Sequence, residues 1–174
     1  MHIQSEEFGE YYGRYVSLSN GKPLSEILQK NRESMEMLFS KLNSKNSMLS
    51  YEKAKWSFKE VIGHVIDTER IFGYRALCVA RDENSLLPGY DHDIFVKNAH
   101  FNRQSVEHLQ HQYMVVRQST IVLWDSLSEK EYLKKGVVNG APFTVRALFY
   151  VVAGHEMHHA NILMDKYLPV ISEK

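Results

Sequence analysis

The sequence predicts an all-α protein, a four-helix bundle with a long crossover between its second and third helices. Three observations carry this. Four long segments carry apolar residues at a helical period, and in the third and fourth the steps alternate three and four. The four prolines, Pro23, Pro88, Pro142 and Pro169, stand as punctuation around those segments, as a residue that cannot sit inside a helix must. Strand signals are weak, because no run alternates cleanly between apolar and polar residues with turn residues on both sides.

The first helix runs from about Leu24 to Leu42, with a stripe of Leu24, Ile27, Leu28, Met35, Leu38 and Leu42. The second starts near Ser57, which can cap it. Glu60 stands three residues on and completes a capping-box pattern. Its stripe is Val61, His64, Val65, Thr68, Ile71 and Phe72. The third begins after Asn102 and carries Val106, Leu109, Tyr113, Val116, Thr120, Leu123 and Leu127. The fourth starts around Pro142–Thr144 and carries Leu148, Val152, His155, His159 and Ile162. A short helix or two fits Glu6–Leu18, where Tyr11, Tyr12 and Tyr15 cluster. The joint from Asp82 to Asn102 is long for a compact bundle. A connection of that length crosses the bundle end and lets helices two and three run parallel.

At 174 residues the chain is expected to be one domain, 1–174, with a sizeable core. Lys+Arg and Asp+Glu both number 21, so the net charge is zero and the basic footprint of a nucleic-acid binder is absent. The single cysteine, Cys78, cannot form an internal disulfide, which argues against a stapled secreted scaffold. MHIQSEEFGEYYGRY has neither the basic nor the apolar region of a signal peptide. No apolar run approaches the roughly 18 residues of a membrane span. The expectation is a cytoplasmic protein with no nucleic-acid or membrane partner.

Three histidines fall inside apolar stripes: His64 on the second helix, His155 and His159 on the fourth. Burying one imidazole is tolerable. Burying three on facing helices calls for a shared partner, and a divalent metal is the obvious one. His155 and His159 stand about 40° apart on one face and on adjacent turns. Three neutral nitrogens suit Zn, Ni, Fe or Cu and leave positions open for water or substrate.

The fragment HEMHH also satisfies H-E-x-x-H, with His155, Glu156 and His159, the zincin protease pattern in which the glutamate is a general base. Phase separates the candidates. His155 and His159 lie within about 20° of the Leu148 seam, whereas His158 lies about 80° off it. His158 therefore reads as a flank or surface residue. Glu156 is about 100° round from His155, which weakens it as a base. His2, His92, His100, His108 and His111 show no convergence and read as exposed or loop histidines.

Cys78 follows His64 by about four turns, some 20 Å, and reads as a small apolar residue rather than a nucleophile. Asp67, Glu69, Arg70, Arg75 and Arg117 are either surface charges or supports for the site. Asp91 and Asp93 either cap the next element or face the site. Trp56 and Tyr74 read as core or interface.

The stretches KWSFKEVIGHVIDTERIFGYRAL, LLPGYDHD and VNGAPFTVRALFYVVAGHEMHHANIL, in this order over nearly the whole chain, resemble the DinB superfamily of damage-inducible and YfiT-like proteins. The resemblance implies a four-helix bundle with an up-up-down-down order, a mononuclear metal and a homodimer. Carried onto this chain, the ligands are His64, His155 and His159. It implies a divalent metal, Zn or Ni first and Fe or Mn after them. Similar members include thiol-dependent S-transferases that use bacillithiol or mycothiol, and a mycothiol-dependent maleylpyruvate isomerase. The function implied is a metal-dependent thiol S-transferase or hydrolase acting on a small molecule, with a low-molecular-weight thiol as a further cofactor. The alternatives are a metal-binding or structural dimer without catalysis, and a small zincin-type protease.

Overall fold

The computed structural model describes residues 1–82 and 86–172. Two single turns of 3-10 helix, Ser5–Glu7 and Glu10–Tyr12, lead into α1 (Gly13–Ser19), α2 (Leu24–Ser40) and α3 (Phe58–Arg81). The crossover holds β1 (Leu86–Leu87), α4 (His92–Ala99) and a 3-10 turn at Phe101–Arg103. Its residues 83–85 lie outside those described. Then come α5 (Val106–Asp125), the short α6 (Glu129–Tyr132), β2 (Lys135–Val138), β3 (Ala141–Thr144) and α7 (Val145–Ile162). A π-helical turn, Leu163–Tyr167, joins α7 to α8 (Leu168–Ser172).

The four expected helices are α2, α3, α5 and α7. Ser57 caps α3 in the expected box: its Oγ accepts from Glu60 N at 3.2 Å, and Glu60 Oε2 accepts from Ser57 N at 2.7 Å. Lys59 Nζ donates to the carbonyls of Asn102 and Gln104, each at 2.9 Å, which ties the start of α3 to the start of α5. Farther along, Arg70 meets Gln112 and Glu69 meets Arg117, so α3 and α5 run parallel as the crossover requires. Phe58 packs on Tyr167 and His64 on His155, so α7 runs against α3. Tyr150 Oη donates to the Lys22 carbonyl and Asn31 to the Ala153 carbonyl, so α2 runs with α7. The bundle and its crossover are as expected. The direction order along the chain is up-down-down-up rather than up-up-down-down, because the crossover sits between the second and third helices and makes that middle pair parallel.

A small sheet was not expected. β2 pairs antiparallel with β3 and parallel with β1, in the order β1-β2-β3. The hairpin turns at Asn139 and Gly140, with φ of 51° and 76°, the paired left-handed residues of a tight Asn-Gly hairpin turn. Pro142 therefore lies in β3, and α7 starts later, at Val145. Thr144 caps it by accepting from Ala147 N at 3.2 Å.

The core falls into two clusters. One joins α1, the first half of α2, the second half of α3 and the first half of α7. The other joins the second half of α2, the first half of α3, α5 and the residues after Ala160. Polar side chains concentrate at the waist between them. His64, Thr68 and Glu69 of α3, Arg117 of α5, Asn31 of α2, and His155 and Glu156 of α7 are all buried there.

Candidate metal centre

The waist brings the three sequence-selected histidines together. His64 projects from α3, and His155 and His159 from adjacent turns of α7. One ring nitrogen from each lies within 4.8 Å of the others. His64 Nε2 and His155 Nε2 face each other at 3.0 Å. Ring centroids are 4.9 Å apart for His64 with either partner and 4.5 Å for His155 with His159. His64 and His155 are 7% and 6% exposed, and His159 is half-buried. Burial, then the neighbouring His92, pulls the His64 ring down to about 4. Burial, then His64, pulls His159 down to about 2, and burial followed by His159 holds His155 well below its ordinary value. All three are neutral at pH 7 and offer lone pairs. Among the described residues, His64 and His155 have no hydrogen-bond partner but each other. Converging neutral imidazoles of this kind suit a borderline divalent metal, so the donor set fits a metal ion.

Two helices make this geometry possible. Gly154, beside His155, packs directly under the Tyr15 backbone. A Cβ there would strike the Tyr15 carbonyl, so only glycine lets α1 lie this close to α7. Tyr15 then sets its ring edge on His155 at 5.1 Å and on His158 at 5.5 Å. On the other side Trp56 lies 4.9 Å from the His64 ring and His92 lies 5.8 Å from it. The histidines open into a cavity of about 400 Å³, walled also by Tyr11, Tyr12, Phe72, Arg75 and Tyr90. Among the described residues no cysteine, serine or carboxylate lines it, and the Thr68 hydroxyl is paired with Tyr90 Oη at 2.8 Å.

Glu156 points the other way. Its carboxylate accepts from Tyr113 Oη at 2.6 Å, from Asn31 Nδ2 at 2.9 Å and from Arg117 Nη2. Arg117 also holds Glu69, through Nε at 3.0 Å and Nη2 at 2.9 Å. Arg117, Glu69 and Glu156 are 1%, 2% and 1% exposed. One buried cation serves two carboxylates. Burial pushes the Glu69 carboxyl up against the pull of Arg117. Glu156 does not line the cavity and its oxygens are taken by Tyr113, Asn31 and Arg117, so it is not placed to serve as a zincin base.

Other readings shift. Glu69, Arg75 and Arg117 are buried and are not surface charges. Asp67 and Arg70 do form a surface pair, at 2.9 Å. Asp91 caps α4 by accepting from Asp93 N and Ile94 N. Trp56 is a cavity wall, whereas Tyr74 is 62% exposed. Cys78 is half-buried and outside the cavity. His158 flanks the seam as expected but reaches the cavity, and so does His92, the first residue of α4. Tyr15, Trp56 and His92 had no spacing signal, because each reaches the site from a separate segment, whereas Arg75 lies on the His64 face of α3, eleven residues on.

A family model of the DinB superfamily matches residues 27–163. The chain belongs to the DinB superfamily. Among solved structures, this DinB chain is similar to YfiT from Bacillus subtilis, described as a probable metal-dependent hydrolase with an unusual four-helix bundle topology. The TM-score is 0.74 at 10% identity, over 99% of this chain and 92% of that one. It is similar to a mycothiol-dependent maleylpyruvate isomerase at TM-score 0.66 and 13% identity, over 80% of this chain and 60% of that one. It is also similar to the DinB-like protein YjoA of Bacillus subtilis, at TM-score 0.57 and 15% identity, over 93% and 92%. Identities this low speak for the DinB fold alone. No curated protein matches the sequence. Among the described residues, no helix is long and apolar enough to cross a membrane.

Proposed function

We propose that this DinB protein binds one divalent metal, Zn or Ni before Fe or Mn, through His64, His155 and His159. We infer further that it is a cytoplasmic, homodimeric, metal-dependent thiol S-transferase or hydrolase acting on a small molecule. The carrying observation is the convergence of three neutral imidazole nitrogens on one wall of a cavity large enough for a small ligand.

The lining selects the reaction type. Among the described residues no cysteine, serine or carboxylate lines the walls, which supports a nucleophile brought in as water or a low-molecular-weight thiol. A bound divalent metal supplies Lewis acidity, which favours the deprotonated form of such a nucleophile near neutral pH. His158, kept neutral by burial and then by Arg14, stands at the cavity wall to accept the proton. The thiol sulfur or water oxygen forms a bond to the electrophilic atom. The bond to the leaving group breaks, and the proton departs with that group. Tyr15 and Trp56 fix the His155 and His64 rings and keep bulk water from them.

Elemental analysis of protein purified without a nickel column tests the site. About one metal per chain is expected, and the metal should be lost on His155→Ala. Metal content unchanged by that substitution refutes the ligand set. Turnover of electrophiles with added thiols that stops on chelation supports the enzyme. Metal binding without turnover across such a screen favours the non-catalytic reading.

A further inference from the structure

Arg75 is 3% exposed, lines the cavity, and has a buried Nη1 with no hydrogen-bond partner. Its Nη2 donates to the Pro88 carbonyl at 2.6 Å. The guanidinium carbon lies 4.9 Å from the Phe72 ring centroid and 5.6 Å from that of Tyr90, so the group is sandwiched and fixed. The Tyr12 phenol oxygen adjoins it as well, as a hydrogen-bond acceptor for the guanidinium. Among the described residues no carboxylate lines the cavity to neutralise it. A buried cation with a free donor is costly unless something pairs with it.

We propose that the ligand of this cavity carries an anionic oxygen group, a carboxylate or a phosphate, and that the Arg75 guanidinium is its anchor. The inference rests on the reading of the cavity as a substrate site and names the substrate class. Arg75 follows His64 by eleven residues, about three helical turns, so both stand on one face of α3 with Thr68 and Phe72 between them. The ligand thus lies along α3, its charged end at Arg75 and its reacting end at the histidines. Tyr11, Tyr12, Tyr15, Trp56 and Phe72 make aromatic walls for the part between. Arg14, also at the cavity, is exposed and stacked 4.1 Å over Tyr11, so it is the less desolvated cation.

The test uses benzoate, phenyl phosphate and the neutral benzamide, titrated by calorimetry into metal-free and zinc-loaded protein. In metal-free wild type at least one anion should bind about tenfold or more tighter than benzamide, as a hydrogen bond to a buried charge warrants. Which anion wins separates a carboxylate substrate from a phosphate ester. The preference should vanish in Arg75→Met, survive in part in Arg75→Lys and persist in Arg14→Met. No anion preference in wild type, including no binding of any probe, overturns the proposal, as does a preference that Arg75→Met retains. If Arg75→Met does not fold, the wild-type Arg75 guanidinium NMR resonance decides: it must shift with the anion and not with benzamide. Zinc content is measured on the same samples. A protein that takes no zinc yet prefers the anion refutes the metal reading and leaves Arg75 standing, and the reverse result refutes Arg75 alone.

Discussion

Gly154→Ala and Gly73→Ala are the same chemical change in two long helices, and the structure gives them opposite signs. In an exposed helix interior, replacing glycine with alanine gains about 1 kcal/mol, because glycine loses the most backbone freedom on folding. An added Cβ at Gly73 in α3 meets nothing within 4 Å, so the full gain is expected, raising Tm by about 2–4 °C for a chain of this length. At Gly154 the Cβ would run into the Tyr15 carbonyl oxygen and carbon, with the Tyr15 Cα at 3.2 Å. These are backbone atoms, so no rotamer change relieves the overlap and α1 must move as a body. Overpacking of that kind costs about 1–3 kcal/mol, which cancels or outweighs the propensity gain. The net expectation is a loss of up to about 2 kcal/mol and a fall in Tm. Because α1 carries Tyr15, which rests on His155 and His158, metal affinity should fall in Gly154→Ala and hold in Gly73→Ala. Urea unfolding of the metal-free proteins reads the stabilities, and competition with a chromophoric chelator reads the affinities. A Gly154→Ala protein as stabilised as Gly73→Ala, with unchanged metal affinity, would refute the close α1–α7 contact and the role assigned to it.

Arg117→Met leaves Glu69 and Glu156 buried without their cation and should cost about 3–5 kcal/mol, read by urea midpoint; a loss under about 1 kcal/mol would contradict the buried triad. His158→Ala should keep metal stoichiometry while slowing any thiol-dependent turnover, which separates it from His155→Ala. Burial would raise the Glu7 carboxyl, but hydrogen bonds from Arg146, the Gln4 backbone and Thr144 bring it below its ordinary value. The unfolded chain therefore takes up that proton first as pH falls. The contribution of Glu7 is complete above about pH 4.5 and is lost as pH drops through its folded value, so Glu7→Gln should show a shallower loss of stability in that acid range.

Much of the bundle and all three histidines were legible because each is a matter of phase on one helix. A seven-residue or eleven-residue separation returns to the same face, so Leu148, His155 and His159 align without knowledge of any partner. The sheet was missed for a different reason. Its turn signal, Asn139–Gly140, is plain, but β2 and β3 are four residues each and β1 is two, too short to show alternation. Charge was the least legible property. Arg117 breaks an apolar seam and Glu156 lies off one, which on a single helix looks like solvent exposure. Only the meeting of α2, α3, α5 and α7 turns these residues, with Asn31 and Tyr113, into a buried polar layer. That layer adjoins the metal centre, with Glu156 about 100° round α7 from His155. Two carboxylates around one guanidinium leave the layer negative when both are ionised, and a divalent cation at the neighbouring histidines is the charge that would balance it. On this argument the metal-loaded protein tolerates an ionised Glu69 that the metal-free protein resists. Metal should then stabilise the wild type more than Glu69→Gln, by a margin that shrinks at acid pH as Glu69 takes up its proton.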